Sequence, residues 1–149
     1  MVNKVALKWS ESDIATTNVK AIAQTELSTE LQRLQKEKTL MYTAKNNYEK
    51  LIRSLSTALS KFEGQVQFRI SNAKEYLVEN YYGSTPEVTK SRENLDEIND
   101  SASSAKNRIQ NLKNIAVANQ AHINELIIKC EEEMDEVIAQ YDRCSSIKL

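Results

Sequence analysis

The sequence is poor in residues that make tight turns and bulky cores. Its 149 residues include two glycines, one proline and only 6% aromatic residues. A β-sandwich or barrel needs frequent turn residues, and a disordered chain is usually rich in Pro and Gly, so this composition argues against both classes. No stretch of about 18 apolar residues occurs, so we expect no transmembrane helix and no stable membrane insertion.

The net charge and the two cysteines indicate which partners and which cellular compartment to expect. The formal net charge is −1 and the sequence pI is about 5.9, which gives no overall attraction to nucleic acid or to anionic membranes. The first thirteen residues lack the apolar core of a Sec-type signal peptide. Cys130 and Cys144 would lie roughly 20 Å apart along one helix, too far for a disulfide. These features predict reduced cysteines and a cytoplasmic protein.

The first half of the chain carries a helical repeat. From Leu27 to Phe62, apolar residues recur in alternating steps of four and three, interrupted only by two lysines. Such a seam over five heptads is typical of a coiled coil. Two successive steps of four then lead through Val66 to Ile70, a stutter that locally unwinds a supercoil. Gly64 lies off this seam and predicts a weak point in a continuous helix.

The second half carries a similar repeat. Its predicted seam positions are Val88, Ser91, Leu95, Ile98, Ala102, Ala105, Ile109, Leu112, Ala116, Asn119, Ile123, Leu126, Cys130, Met134, Val137, Tyr141 and Cys144. Together the two seams predict an all-α fold, a long antiparallel two-helix coiled-coil hairpin in a single domain. We expect an N-terminal arm over 1–13, a first helix over 14–82 and a second helix over 87–144.

The turn of the hairpin is predicted at residues 83–86. Gly83 suits the left-handed position that ends a helix, and Ser84 or Thr85 suits the N-cap of the next one. Pro86 then occupies the first helical turn, where its missing N–H costs nothing. The predicted hairpin tip consists of Tyr81, Tyr82, Gly83 and Pro86.

The charge distribution supports pairing of the two helices within one chain. A turn near residue 84 pairs residue i with roughly residue 168 minus i. This pairing sets the acidic run over 131–136 beside Arg33, Lys36 and Lys38. Opposite charges that flank a seam set the orientation of the partner helices more than their stability.

The sequence contains no recognisable catalytic or cofactor site. No nucleophile elbow, phosphate loop, Cys-x-x-Cys pair or paired-His metal motif occurs. His122 precedes Glu125 by three residues, but a di-iron bundle needs matching carboxylate and histidine sets on further helices. Basic residues are spread along the first helix without interleaved aromatic residues, which argues against nucleic-acid binding. We therefore expect no enzyme, no cofactor and no metal.

Apolar residues outside the main seam predict a second interface. They are Leu40, Leu51, Ile115, Ile127, Ile128 and Ile138. With the seam they widen the apolar face beyond what one partner helix covers. They either pad a monomeric hairpin or bind another helical chain, which would be a second copy or a different helical protein.

The hairpin tip carries a resemblance to a known family. Tyr81-Tyr82-Gly83 resembles the Trp-x-Gly at the hairpin turn of the WXG-type proteins of type VII secretion. The segments NNYEKLIRSLSTALSKF and SRENLDEIND are similar to those of longer YwqH-like, LXG-associated helical proteins. The resemblance implies an adaptor, chaperone or targeting partner. Such a protein pairs with the helical N-terminal region of an LXG-type toxin and with a second small helical protein.

One departure from that family affects the expected role. Its C-terminal Tyr-x-x-x-Asp/Glu export signal is missing, because Ser145 stands four places after Tyr141. The resemblance then implies that a partner supplies the signal and that export, where it occurs, is export with that partner. The competing interpretation is a self-associating structural coiled coil, such as a spacer or a phage or cytoskeletal component.

Overall fold

The computed structural model describes Ile14, residues 17–80 and residues 85–149. Its elements are α1 (Thr17–Lys61), a π-helical segment (Phe62–Gln67), α2 (Phe68–Asn80) and α3 (Pro86–Ser146). The described residues contain no strand, and the predicted all-α helical hairpin is confirmed. The predicted arm over 1–13 and the tip residues Tyr81, Tyr82 and Gly83 lie outside the described residues.

Helix α3 begins with a side-chain cap. The Thr85 hydroxyl accepts a hydrogen bond from the backbone N–H of Val88 at 3.3 Å, and its carbonyl accepts one from Thr89 at 3.0 Å. Pro86 is the first helical residue and Glu87 lies in the first turn. Thr85 is therefore the N-cap, followed by a proline that needs no N–H partner and a carboxylate that complements the helix dipole.

The π-helical segment coincides with the stutter in the first seam. A π turn holds more residues than an α turn, so it accommodates two successive steps of four between Phe62 and Ile70. Gly64 lies inside this segment, and a Cβ atom at this position would meet nothing within 4 Å. Packing therefore does not require glycine here, and its effect is on backbone freedom.

Contacts divide the chain into two compact units. The terminal unit comprises Met1–Asn47 and Asn119–Leu149, and the central unit comprises Tyr48–Ala118. Within each unit, residue numbers in contact across the two helices add up to a nearly constant value. Lys38 with Glu131 gives 169 in the terminal unit, and Lys74 with Asp96 gives 170 in the central unit. Both values agree with the predicted antiparallel pairing.

The core of the terminal unit is a set of closely packed layers. Leu34, Val137 and Cys130 are its largest fully buried side chains. The Cys130 thiol donates to the Leu34 carbonyl at 3.4 Å, and the Cys144 thiol donates to the Lys20 carbonyl at 3.8 Å. Both cysteines are free, as predicted, and both are buried; burial is the main cause that raises the pKa of Cys130. Small side chains at these positions let a thiol reach the backbone of the facing helix.

The C-terminal end of α3 is held by a residue of α1. The Lys20 ammonium donates to the Ser145 carbonyl at 3.1 Å and to the Ile147 carbonyl at 2.7 Å. Carbonyls at the end of a helix lack partners within that helix and carry partial negative charge. Lys20 of the facing helix supplies the missing hydrogen-bond donor and a positive charge that complements these carbonyls.

The seam of α3 differs from its predicted positions. The shared positions Ala102, Ala116, Cys130, Val137 and Cys144 are buried, whereas Ile98 and Leu112 are 53% and 55% exposed. The prediction was wrong for these two residues, and also for the exposed Ser91, Asn119 and Tyr141.

The physical reason is that the predicted seam and the observed seam of α3 share every second position and differ by one residue at the positions between them. Asn99, Lys106, Lys113 and Gln120 each follow a predicted seam residue by one place and are half-buried. Long polar side chains can bury their aliphatic stems while their heads stay in water. A count of apolar residues therefore favours Ile98 and Leu112, although the polar neighbours lie at the helix contact.

Candidate protein-interaction surface

Five of the six predicted interface residues are exposed. The exposed fractions are 70% for Leu40, 57% for Ile115, 57% for Ile128, 45% for Leu51 and 41% for Ile138. Ile127 is only 5% exposed, so its assignment to an outward surface was wrong. It occupies the shifted seam of α3 and follows Leu126, the position predicted for the seam.

In the terminal unit, two of these residues share a stripe on α3. Ile128 and Ile138 follow a spacing of three and four through Glu131 and Asp135, which places all four on one side of the helix. The Tyr42 hydroxyl donates to Glu131 at 3.2 Å from the facing helix. The terminal stripe, defined as Ile128, Glu131, Asp135 and Ile138, is therefore apolar at both ends and acidic between them.

Leu40 is not brought to the terminal stripe. It precedes Tyr42 by two residues, a rotation of about 200° around α1 at 3.6 residues per turn. Because Tyr42 contacts α3 through Glu131, Leu40 points away from that contact. It is an isolated exposed leucine, which is common on protein surfaces.

In the central unit, Ile115 belongs to a longer stripe that the sequence analysis missed. The central stripe consists of Ile98, Ser101, Ala105, Arg108, Leu112 and Ile115, which alternate in steps of three and four. All but the half-buried Ala105 are exposed. The signal for it was present in the sequence, but Ile98 and Leu112 had been assigned to the seam. Leu51 adds an exposed leucine on α1 of the same unit.

A half-buried charge cluster lies in the terminal unit. The Arg33 guanidinium binds Glu30, with Nε 3.0 Å from both carboxylate oxygens, and also binds Glu37. The hydrogen bond with Glu30 is the main cause that raises the pKa of Arg33. Burial, followed by repulsion from Glu136, Glu37 and Glu30, raises the pKa of Glu133, although Arg33 opposes this. Three carboxylates therefore share one cation across the two helices.

His122 and Glu125 form a surface pair. Nδ1 of His122 lies 4.0 Å from Glu125, and both side chains are about 70% exposed. No group of three or more residues suited to a metal ion occurs in the part of the chain that the structure describes.

Comparisons with known proteins identify no relative. No protein-family model matches the chain, and neither a curated protein nor a solved structure matches it. Within 17–80 and 85–149, no helix combines the length and hydrophobicity needed to cross a membrane.

Proposed function

We propose that the chain is a non-enzymatic helical adaptor that binds another helical protein along the terminal stripe. The observation that carries this proposal is the exposure of Ile128 and Ile138 on either side of two carboxylates. An amphipathic helix buries its apolar face in such a surface through side chains spaced three and four residues apart.

The charge of the terminal stripe indicates the chemistry of its partner. The exposed Asp135 lies between the two isoleucines beside Glu131, which pairs with Lys38 at 3.7 Å. Glu132 and Asp142 are further exposed acidic residues of α3 nearby. A partner helix with Lys or Arg beside its apolar face complements this surface and approaches faster at low ionic strength. An acidic partner helix would be repelled.

The resemblance of Tyr81-Tyr82-Gly83 to the WXG turn extends the proposal to a particular class of partner. The partner is then the helical N-terminal region of a toxin of type VII secretion, joined by a second small helical protein. In this role the chain accompanies the toxin, and the partner supplies the export signal that Ser145 interrupts here.

The test uses the N-terminal helical region of an LXG-type toxin from the same genome, titrated into the purified chain by calorimetry. The double variant Ile128→Gln/Ile138→Gln keeps helix-compatible residues but removes two exposed apolar side chains that a partner helix would bury. We expect it to weaken binding at least about tenfold, which corresponds to about 1.4 kcal/mol.

The matched control is Leu149→Gln, which removes an equally exposed apolar side chain after the end of α3. Binding by this control should equal that of the unchanged chain. Equal binding by the Ile128→Gln/Ile138→Gln variant would contradict the terminal stripe as the contact surface. No binding by the unchanged chain would contradict the toxin class.

Self-association as a structural coiled coil is the second candidate function. The observation that favours it is the central stripe, in which the exposed Ile98 and Leu112 lie at equal distances on either side of Ala105. This stripe lies in the other unit and does not use Ile128 or Ile138.

A further inference from the structure

Large apolar residues lie at equal distances on either side of Ala105 in the central stripe. The exposed Ile98 and Leu112 each lie seven residues from it. Seven residues are two helical turns, so all three side chains lie on one side of the helix. In a reversed copy of α3 these three positions meet their counterparts, which is what a two-fold interface requires.

The charges of α3 in the central unit are divided at the same point. After Glu87, the acidic residues of α3 in this unit all lie within 93–100, namely Glu93, Asp96, Glu97 and Asp100, and Asp96 pairs with Lys74 of the facing helix. Lys90 and Arg92 precede this segment, and the other basic residues lie within 106–113, namely Lys106 (which pairs with Glu63), Arg108 and Lys113. The helix therefore carries an acidic segment and a basic segment on either side of its uncharged middle.

We infer that a second copy of this chain packs on the central stripe, with the two α3 helices antiparallel about a two-fold axis at Ala105. This arrangement sets Ile98 of one copy beside Leu112 of the other. It also sets the acidic segment of each copy beside the basic segment of the other. A parallel arrangement would place like charges together, which costs several kcal/mol in an interface.

The middle of the stripe suits close approach of two helices. A shallow groove there is lined by Asp100, Ser101, Ser104, Ala105 and Arg108. Small side chains at the centre and large ones on either side allow the two surfaces to interdigitate. An interface between copies adds to the proposed function. It rests on that function only in treating the chain as an interaction protein.

The test changes the acidic segment in one variant and the basic segment in another. In the first variant, Glu97→Lys/Asp100→Lys replaces two exposed acidic residues by basic ones. In the second, Arg108→Glu/Asn111→Glu replaces one exposed basic residue and one neutral residue by acidic ones. All four positions are exposed, so the fold should persist, which circular dichroism checks.

The measurement is the absolute mass in solution by light scattering after size exclusion. The unchanged chain should have twice the 17.0 kDa of one chain. Each variant alone should dissociate at least about tenfold more readily, because like charges then face each other. An equimolar mixture of the two variants should recover the doubled mass. As a control, Ser60→Lys changes the charge of an exposed residue on α1 and should leave the dimer intact.

Two results would overturn the inference. One is an unchanged chain that stays monomeric at every soluble concentration, which leaves the surface to a different helical protein. The other is a dimer whose mass neither variant changes. Neither result bears on the toxin titration, because Ile128 and Ile138 lie outside the central stripe and no charge variant alters them.

Discussion

The two units differ in how completely each buries its own apolar residues. The terminal unit holds the fully buried Leu34, Val137 and Cys130, and its charges form a cluster partly withdrawn from water. The central unit buries Leu59, Ile70, Ala102 and Ala116, each with some remaining exposure, while Leu51, Ile98, Leu112 and Ile115 remain exposed. One repeat of apolar residues along a sequence thus yields a closed core in one place and an open surface in another.

The polar contacts show the same difference. The terminal unit joins its helices through thiol-to-carbonyl bonds and through Lys20 at the end of α3. The central unit joins them through the ion pairs Lys74–Asp96 and Lys106–Glu63, whose side chains are 32–68% exposed, whereas those of Lys38–Glu131 in the terminal unit are 29% and 43% exposed. Exposed ion pairs contribute about 1 kcal/mol or less and weaken in salt. The central unit is therefore the one that gains most from a partner.

The largest expected effect comes from shortening matched leucines in the two units. Leu34→Ala opens a cavity in a closed core and should lower the free energy of unfolding by about 2–5 kcal/mol. Leu112→Ala, at an exposed site, should change it by about 0.5 kcal/mol or less when the chain is dilute. Urea unfolding measures both. Equal losses at micromolar and lower concentrations would contradict the difference between the units.

A smaller effect is expected from the glycine of the π-helical segment. Gly64→Ala should raise the free energy of unfolding by about 0.5–1 kcal/mol, because alanine restricts the unfolded chain and meets no neighbour in the folded one. Ser60→Ala, at an exposed position of α1, is the matched control and should change the free energy of unfolding less. A loss of stability for Gly64→Ala would mean that the π turn itself depends on glycine.

The smallest effect depends on pH and on the charge cluster of the terminal unit. Because the pKa of Glu133 is raised in the folded chain, the folded state binds this proton more tightly than the unfolded state. Glu133 therefore destabilises the fold above its folded pKa. This penalty is lost as the pH falls through that value and is absent below the unfolded pKa.

Replacement of this carboxylate tests the sign. Glu133→Gln should raise the melting temperature at pH 7, and the gain should shrink as the pH falls through the folded pKa and vanish below the unfolded pKa. Glu132→Gln, at the exposed neighbouring position, is the control and should change little. A lower melting temperature for Glu133→Gln at pH 7 would mean that its attraction to Arg33 outweighs its burial.

Much of the fold could be predicted from the sequence, because helices leave a strong periodic signal. The seams, the stutter and the scarcity of glycine and proline locate both long helices, and Thr85 and Pro86 locate the start of α3. The constant pairing number also anticipates Lys38 beside Glu131. These features depend on spacing and charge along one chain.

The candidate surface could be predicted only in part. Ile128 and Ile138 are exposed as expected, but the burial of Ile127 and the exposure of Leu112 were not. A shift of one position in α3 exchanges these faces, and long polar residues such as Lys113 make both alternatives acceptable in energy. Helix rotation is decided by side-chain packing, which periodicity alone does not encode.

The most direct test of the account is a set of distances between copies in solution. Spin labels on Ser91→Cys, Ser104→Cys and Asn111→Cys, each in a chain with Cys130→Ala and Cys144→Ala, report the separation of equivalent residues. An antiparallel pair centred at Ala105 predicts the shortest distance at position 104 and about 40 Å at position 91, from a rise of 1.5 Å per residue. Similar short distances at all three positions, or no dipolar coupling at any of them, would contradict the account.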